Sequence, residues 1–216
     1  MEEIYMRGAR PIKPSKKMSF RGRTPSIKTG KMIHWESLLE HDFVRLLEFD
    51  PFVTYYESQP LLIQYSYLGK RRKYYPDFKV ITNDEHVYLY EVKAESHISL
   101  EENMVKFEVG RRYCEERKWF YRVITEKEIR KGFLIENICL IQDSKYSTLQ
   151  ESVKQSIIHF LQRETCITIN HLLELLTEFD KSEIYTNTYA MIYDHLIKVN
   201  LIDELLTSDS VLSLYE

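Results

Sequence analysis

Residues 73–93 read KYYPDFKVITNDEHVYLYEVK, and the fold turns on this stretch. It holds Pro76-Asp77 and, thirteen intervening residues later, Glu91-Val92-Lys93. Phe78, Val80 and Ile81 follow the first acid. Val87, Tyr88, Leu89, Tyr90 and Val92 surround the second. β-branched and aromatic residues at this density spell strands. Asn83-Asp84-Glu85 between them is a turn signal. The stretch is expected to be a hairpin. Side chains alternate faces along a strand, so Glu91 and Lys93 point the same way. Asp77 is expected beside Glu91 from the neighbouring strand.

Two carboxylates a few ångströms apart repel each other and share a divalent cation well. A lysine on the same face is drawn in by them. Cleaving a phosphodiester needs charge stabilisation on the phosphoryl oxygens and an activated water. Mg²⁺, with Mn²⁺ as substitute, takes oxygen ligands and keeps waters of its own. The spacing is the PD-(D/E)xK pattern of metal-dependent nucleases. A Glu-x-Lys stripe on a solvated strand and a Pro-Asp pair at a turn are the plain alternative. Against it, both acids lie in apolar strand sequence. Pro76 implies a bulge or an edge, and a third carboxylate stands upstream on a helix.

That helix is read over Trp35–Phe49, with Leu39, Phe43, Leu46 and Leu47 on its apolar face. Asp42, Arg45 and Glu48 fall outside the arc, while Glu36 and Glu40 fall inside it. Glu36 sits in the first turn, where the helix dipole accounts for it. Glu40 is deeper, and is taken as a further ligand for metal or water.

The 216 residues suffice for one large domain or two small ones. No apolar run approaches the roughly 20 residues of a membrane span, and Met-Glu-Glu-Ile-Tyr is not a signal peptide. Cys114, Cys139 and Cys166 suit a reducing cytosol. The net charge of −3 hides an asymmetry. Residues 1–31 carry +7, residues 32–143 carry −4, and residues 144–216 carry −6. The first segment, with Arg21 and Arg23 among its cations, reads as an extended arm that settles on a phosphate backbone. Lys70, Arg71, Arg72 and Lys73, just before the paired acids, are candidates to grip DNA phosphates or are simply a charged hairpin tip.

Strands are expected at 53–56, at 59–67 and from Lys70 into the segment carrying Asp77. A helix capped by Ser99 and Glu102 follows, with Gly110 allowing close packing, then a strand at 119–124 and a short helix from Glu126 closed by Gly132. The order predicts an α/β domain with a central mixed sheet over 32–143. After a polar linker, helices at 149–163, 169–179 and 187–200 precede a hairpin over 201–214. That pattern suggests a small winged-helix-like domain over 149–216. Its acidity would repel DNA, so it reads as a protein-interaction module.

The chain resembles TnsA, the endonuclease subunit of heteromeric transposases, whose N-terminal domain is restriction-endonuclease-like. The matching stretches are Leu39-Glu40, Leu47-Glu48-Phe49-Asp50-Pro51, Gln59-Pro60, Tyr75-Pro76-Asp77-Phe78, Glu91-Val92-Lys93 and Arg111-Arg112-Tyr113. The resemblance puts Glu40, Asp77 and Lys93 at catalytic positions. Asp77, Glu91 and Glu40 become metal ligands, Glu91 at a place that is not always acidic. It implies a cytoplasmic bacterial protein that cuts the non-transferred strand at the 5′ ends of a transposon. A DDE transposase joins the other strand, and an AAA+ ATPase docks on the C-terminal domain. Two readings stand beside it: a stand-alone restriction or repair nuclease, and a non-catalytic DNA-binding scaffold.

Overall fold

The alternation around Asp77 and Glu91 folds as the hairpin it spells. The computed structural model describes residues 20–147 and 149–215. The chain divides into two compact units, 1–129 and 130–216.

In the first unit, β1 (Gly22–Pro25) and β2 (Met32–Trp35) pair antiparallel. They lead into α1 (Leu38–Phe49), β3 (Val53–Ser58), β4 (Ile63–Tyr67), β5 (Lys70–Tyr74), β6 (Phe78–Thr82) and β7 (Val87–Val92). α2 (Glu101–Glu115), β8 (Phe120–Ile124) and α3 (Glu126–Ile129) complete it. The central sheet runs β3-β6-β7-β8. The first three strands are antiparallel, and β8 lies parallel to β7 after the α2 crossover. A mixed sheet with helices on both faces follows.

One face packs under α1, where the Phe43 ring meets Phe78 at 5.4 Å and Tyr90 at 5.0 Å between centroids. The other face, carrying Leu89 and Glu91, lies under α2. There Gly110 lets the Tyr121 ring in, since a Cβ would stand 2.2 Å from that ring.

Several local expectations are corrected. The arm read over 1–31 is, from Gly22, an ordered hairpin; residues 1–19 lie outside the described residues. It is held because Glu48, placed on the solvent side by periodicity, is buried. Glu48 accepts hydrogen bonds from Ser26 Oγ at 2.8 Å, Ile27 N at 2.7 Å and Tyr56 OH at 2.6 Å. Lys28 donates to Leu47 O at 2.8 Å and to Asp50 O, capping the end of α1. Burial brings its pKa down to about 8, against the pull of Glu48 and Asp50. Asp42 is buried as well, paired with Arg45 at 2.7 Å.

α1 starts at Leu38 rather than Trp35, because Trp35 ends β2. α2 has no Ser99 cap; its N-cap is Leu100, and Asn103 Nδ2 donates to His97 O at 2.7 Å instead. β4 and β5 form their own two-stranded sheet, and Tyr75-Pro76-Asp77 separates β5 from β6. The register shift lies in β3, between Val53 and Tyr55, not at Pro76.

The second unit begins at 130, earlier than the boundary expected near 143. α4 (Leu134–Ile141) is tied into it by Asn137, whose amide donates to Leu201 O and Glu204 O and accepts from Leu206 N. Then come α5 (Glu151–Glu164), β9 (Cys166–Thr168), α6 (Ile169–Leu175), α7 (Lys181–Tyr193), β10 (Ile197–Lys198) and β11 (Val211–Leu214), with sheet order β10-β11-β9. α7 lies earlier than the helix expected at 187–200, because an Asp180–Glu183 capping box starts it and His195 leaves the helix at φ 55°.

Candidate active site

The site is built where β6 and β7 begin and end. Phe78 pairs with Tyr90, so Asp77, one residue earlier, comes alongside Glu91. Asp77 is held at both ends. Its carbonyl accepts from Gln59 N at 2.8 Å, and its Oδ2 accepts from Val92 N at 2.8 Å. Lys93 continues the parallel pairing through its N–H to Ile124 O at 3.0 Å. Its side chain then lies on the Glu91 face, with Nζ 3.0 Å from Glu91 Oε1.

Glu91 is only 3% exposed. A carboxylate that deep must be fully partnered. Lys93 meets one oxygen, and Tyr74 OH donates to Oε2 at 2.8 Å. The Tyr74 hydroxyl also lies 2.8 Å from the Tyr121 hydroxyl.

Glu40 sits at the start of α1. Its backbone N–H goes to Ser37 Oγ at 3.1 Å, and its side chain accepts from Ser37 Oγ at 3.1 Å and from Glu36 N at 2.8 Å. Glu40 thereby closes the N-terminus of the helix, a capping role the sequence reading did not give it.

The charges act on one another. Burial pushes the Asp77 carboxyl well above the usual carboxylate range, and Glu91 and Glu40 push it the same way, while Lys93 and the Val92 N–H oppose. Glu40 is raised mainly by burial, against its hydrogen bonds. Burial lowers Lys93, but Glu91, Asp77 and Glu40 outweigh it and the net shift is upward. So the four residues singled out from the sequence, Glu40, Asp77, Glu91 and Lys93, share one electrostatic centre.

They do not form a ready three-ligand cage. Among the described residues no group of three or more His, Cys, Asp or Glu side chains is disposed to hold a metal ion. Both Glu40 oxygens are engaged at the helix end. Both Glu91 oxygens are engaged too, by Lys93 and Tyr74, but Asp77 and Glu91 stand side by side on adjacent strands, a pair of the kind that Mg²⁺ accepts when water and phosphate fill its other positions.

The remaining candidates lie on elements other than β6 and β7. Lys70, Arg71, Arg72 and Lys73 lie in β5 and are all exposed. Cross-strand, Arg72 faces Tyr65 and Lys70 faces Tyr67. Arg23 pairs across the first hairpin with His34, and Arg21 stands 4.0 Å from Glu36. Arg111 and Arg112 both turn back to Glu108 on their own helix.

Sequence reasoning missed Tyr74 and Tyr121. Tyr74 had a signal in the sequence: it is the one aromatic in the stretch Lys-Arg-Arg-Lys-Tyr, and the structure buries it beside four exposed cations.

Residues 50–126 match the family model for the TnsA-like endonuclease N-terminal domain. The match covers Asp77, Glu91 and Lys93; Glu40 lies before its start. No curated protein matches the chain.

Proposed function

We propose that this chain, a TnsA-like endonuclease by its residues 50–126, is the subunit of a heteromeric transposase that hydrolyses phosphodiester bonds at the 5′ ends of a transposon. One observation carries the reading: Asp77 and Glu91 on adjacent strands with the Lys93 amine 3.0 Å from Glu91, within the matched domain. Asp77 and Glu91 would hold Mg²⁺ or Mn²⁺, and Glu40 adds a third negative charge to the centre. Such an ion, when bound, supplies Lewis-acid stabilisation of a phosphoryl oxygen and an activated water. Lys93 is the cation of the set: held at Glu91, its amine would neutralise charge on the attacking water or the scissile phosphate. The exposed cations of β5 suit a phosphate backbone.

The second unit supports a partner-binding role. Its order α5-β9-α6-α7-β10-β11, with β11 central in the sheet, supports the winged-helix-like reading. Residues 144–216 carry a net charge of −6, which disfavours DNA and favours a protein such as the AAA+ ATPase regulator. No helix among the described residues is long and apolar enough to cross a membrane.

The test is strand cleavage on DNA bearing a transposon end, with the partner transposase and ATPase supplied. Lys93→Ala and Asp77→Asn should each reduce 5′-strand nicking by about 100-fold or more while leaving DNA binding intact. Nicking that survives both substitutions would refute the assignment.

A further inference from the structure

We infer that Tyr74 and Tyr121 are positioning residues: their hydroxyls form a chain, Tyr121 to Tyr74 to Glu91, that fixes the Glu91 carboxylate and through it the Lys93 amine. This rests on the nuclease reading of Asp77, Glu91 and Lys93.

Proton bookkeeping sets the direction of the chain. A phenol has one proton to give. Tyr74 gives its proton to Glu91 Oε2 at 2.8 Å. In the 2.8 Å contact between the two hydroxyls, Tyr121 must then be the donor. A hydroxyl that accepts one hydrogen bond donates a stronger one, so Tyr121 polarises Tyr74 toward the carboxylate.

The two Glu91 oxygens are thus divided, Oε2 to Tyr74 and Oε1 to Lys93. Without the first bond the carboxylate is free to turn about its terminal torsion, which is intrinsically soft, and the Lys93 ion pair goes with it. The surroundings are shaped for this chain. Tyr74 is 3% exposed at the inner end of β5. The ring of Tyr121 occupies the space that a side chain at Gly110 would fill, so α2 gives up helix propensity to seat it. Groups that orient the ligands of a metal site typically change affinity 10–100-fold when removed.

Tyr74→Phe and Tyr121→Phe remove only the hydroxyls. Mn²⁺ binding by calorimetry, and single-strand nicking with the partner transposase and ATPase supplied, should be measured on the full chain for the wild type, for each variant and for the double variant. Tyr74→Phe should weaken Mn²⁺ about tenfold or more and lower kcat with KM for DNA nearly unchanged. Tyr121→Phe should act in the same direction but less. The double variant should equal Tyr74→Phe, because Tyr121 works only through Tyr74. Wild-type affinity and kcat in Tyr74→Phe, or independent adding of the two effects, would overturn the proposal.

If the wild-type chain neither binds Mn²⁺ nor nicks DNA, the nuclease reading fails, and the chain of hydroxyls is then judged by equilibrium unfolding of the same four proteins. The destabilisation from Tyr121→Phe should shrink in the Tyr74→Phe background. An undiminished effect there would refute the chain on its own.

Discussion

At the scale of single residues, the site is a place where the fold gives up stability. Asp77 is the clearest case. Burial and the neighbouring Glu91 and Glu40 raise its pKa, so the folded state holds the proton more tightly than the unfolded chain does. Stability from that preference is complete below the unfolded carboxyl range, near pH 4, and is lost as pH rises through the folded value. At pH 7, above the unfolded carboxyl range, keeping this carboxyl buried beside Glu91 and Glu40 is therefore a cost. Asp77→Asn should stabilise the cation-free protein by about 1–2 kcal/mol, and thermal unfolding in chelator should show that gain fading toward pH 4. Glu48 is the opposite case. It is buried like a catalytic acid, but the donors Ser26, Ile27 and Tyr56 tie it to the first hairpin and to β3. Glu48→Ala should cost about 3 kcal/mol, as removal of a buried, fully bonded charge does, and denaturant unfolding measures it.

At the scale of elements, β6 and β7 were legible because their residues are apolar, β-branched and in phase with the pleat. The pairing of Asp77 with Glu91 followed from that phase alone. Helix ends were less legible. Ser99 and Glu102 have the spacing of a capping box, yet α2 is not capped by them, because the preceding turn at Glu95–His97 sets its start. Ser37 caps α1 through the Glu40 N–H, and the Glu40 carboxylate folds back onto Ser37 Oγ and Glu36 N, a local role that the chemical reading of Glu40 obscured. Glu48 was misplaced because periodicity reports the apolar face and cannot foresee a hairpin folding over the other side. The β4–β5 hairpin carries a prediction of its own. Its four cations are exposed and adjacent. If Arg71 and Arg72 neutralise DNA phosphates, replacing both with Ala should make the salt slope of binding shallower by about 0.9 for each phosphate no longer neutralised. Titrations at several salt concentrations would show this, and an unchanged slope would make the hairpin a solvated tip.

At the scale of the whole molecule, the chain consists of two compact units. The mixed sheet of the first was readable from strand order. The boundary was not, because the apolar segment 133–141 suits either unit, and it is assigned by the Asn137 bonds to Leu201, Glu204 and Leu206 together with Phe133 N to Ile202 O at 2.8 Å. The second unit has its own core, with Val153, Ile157, Ile169, Leu172, Ile184 and Leu212 fully buried. A fragment of residues 130–216 should therefore unfold in a single cooperative transition by circular dichroism, whereas one starting at 149, without α4, should be markedly less stable. The first unit carries the proposed chemistry, whose central claim is that Asp77 and Glu91 form a cation site. Calorimetric titration of Mn²⁺ into the wild-type chain and Asp77→Asn tests it most directly. The account predicts saturable binding in the wild type that disappears in the variant. Equal binding in both would contradict it and remove Asp77 from the site.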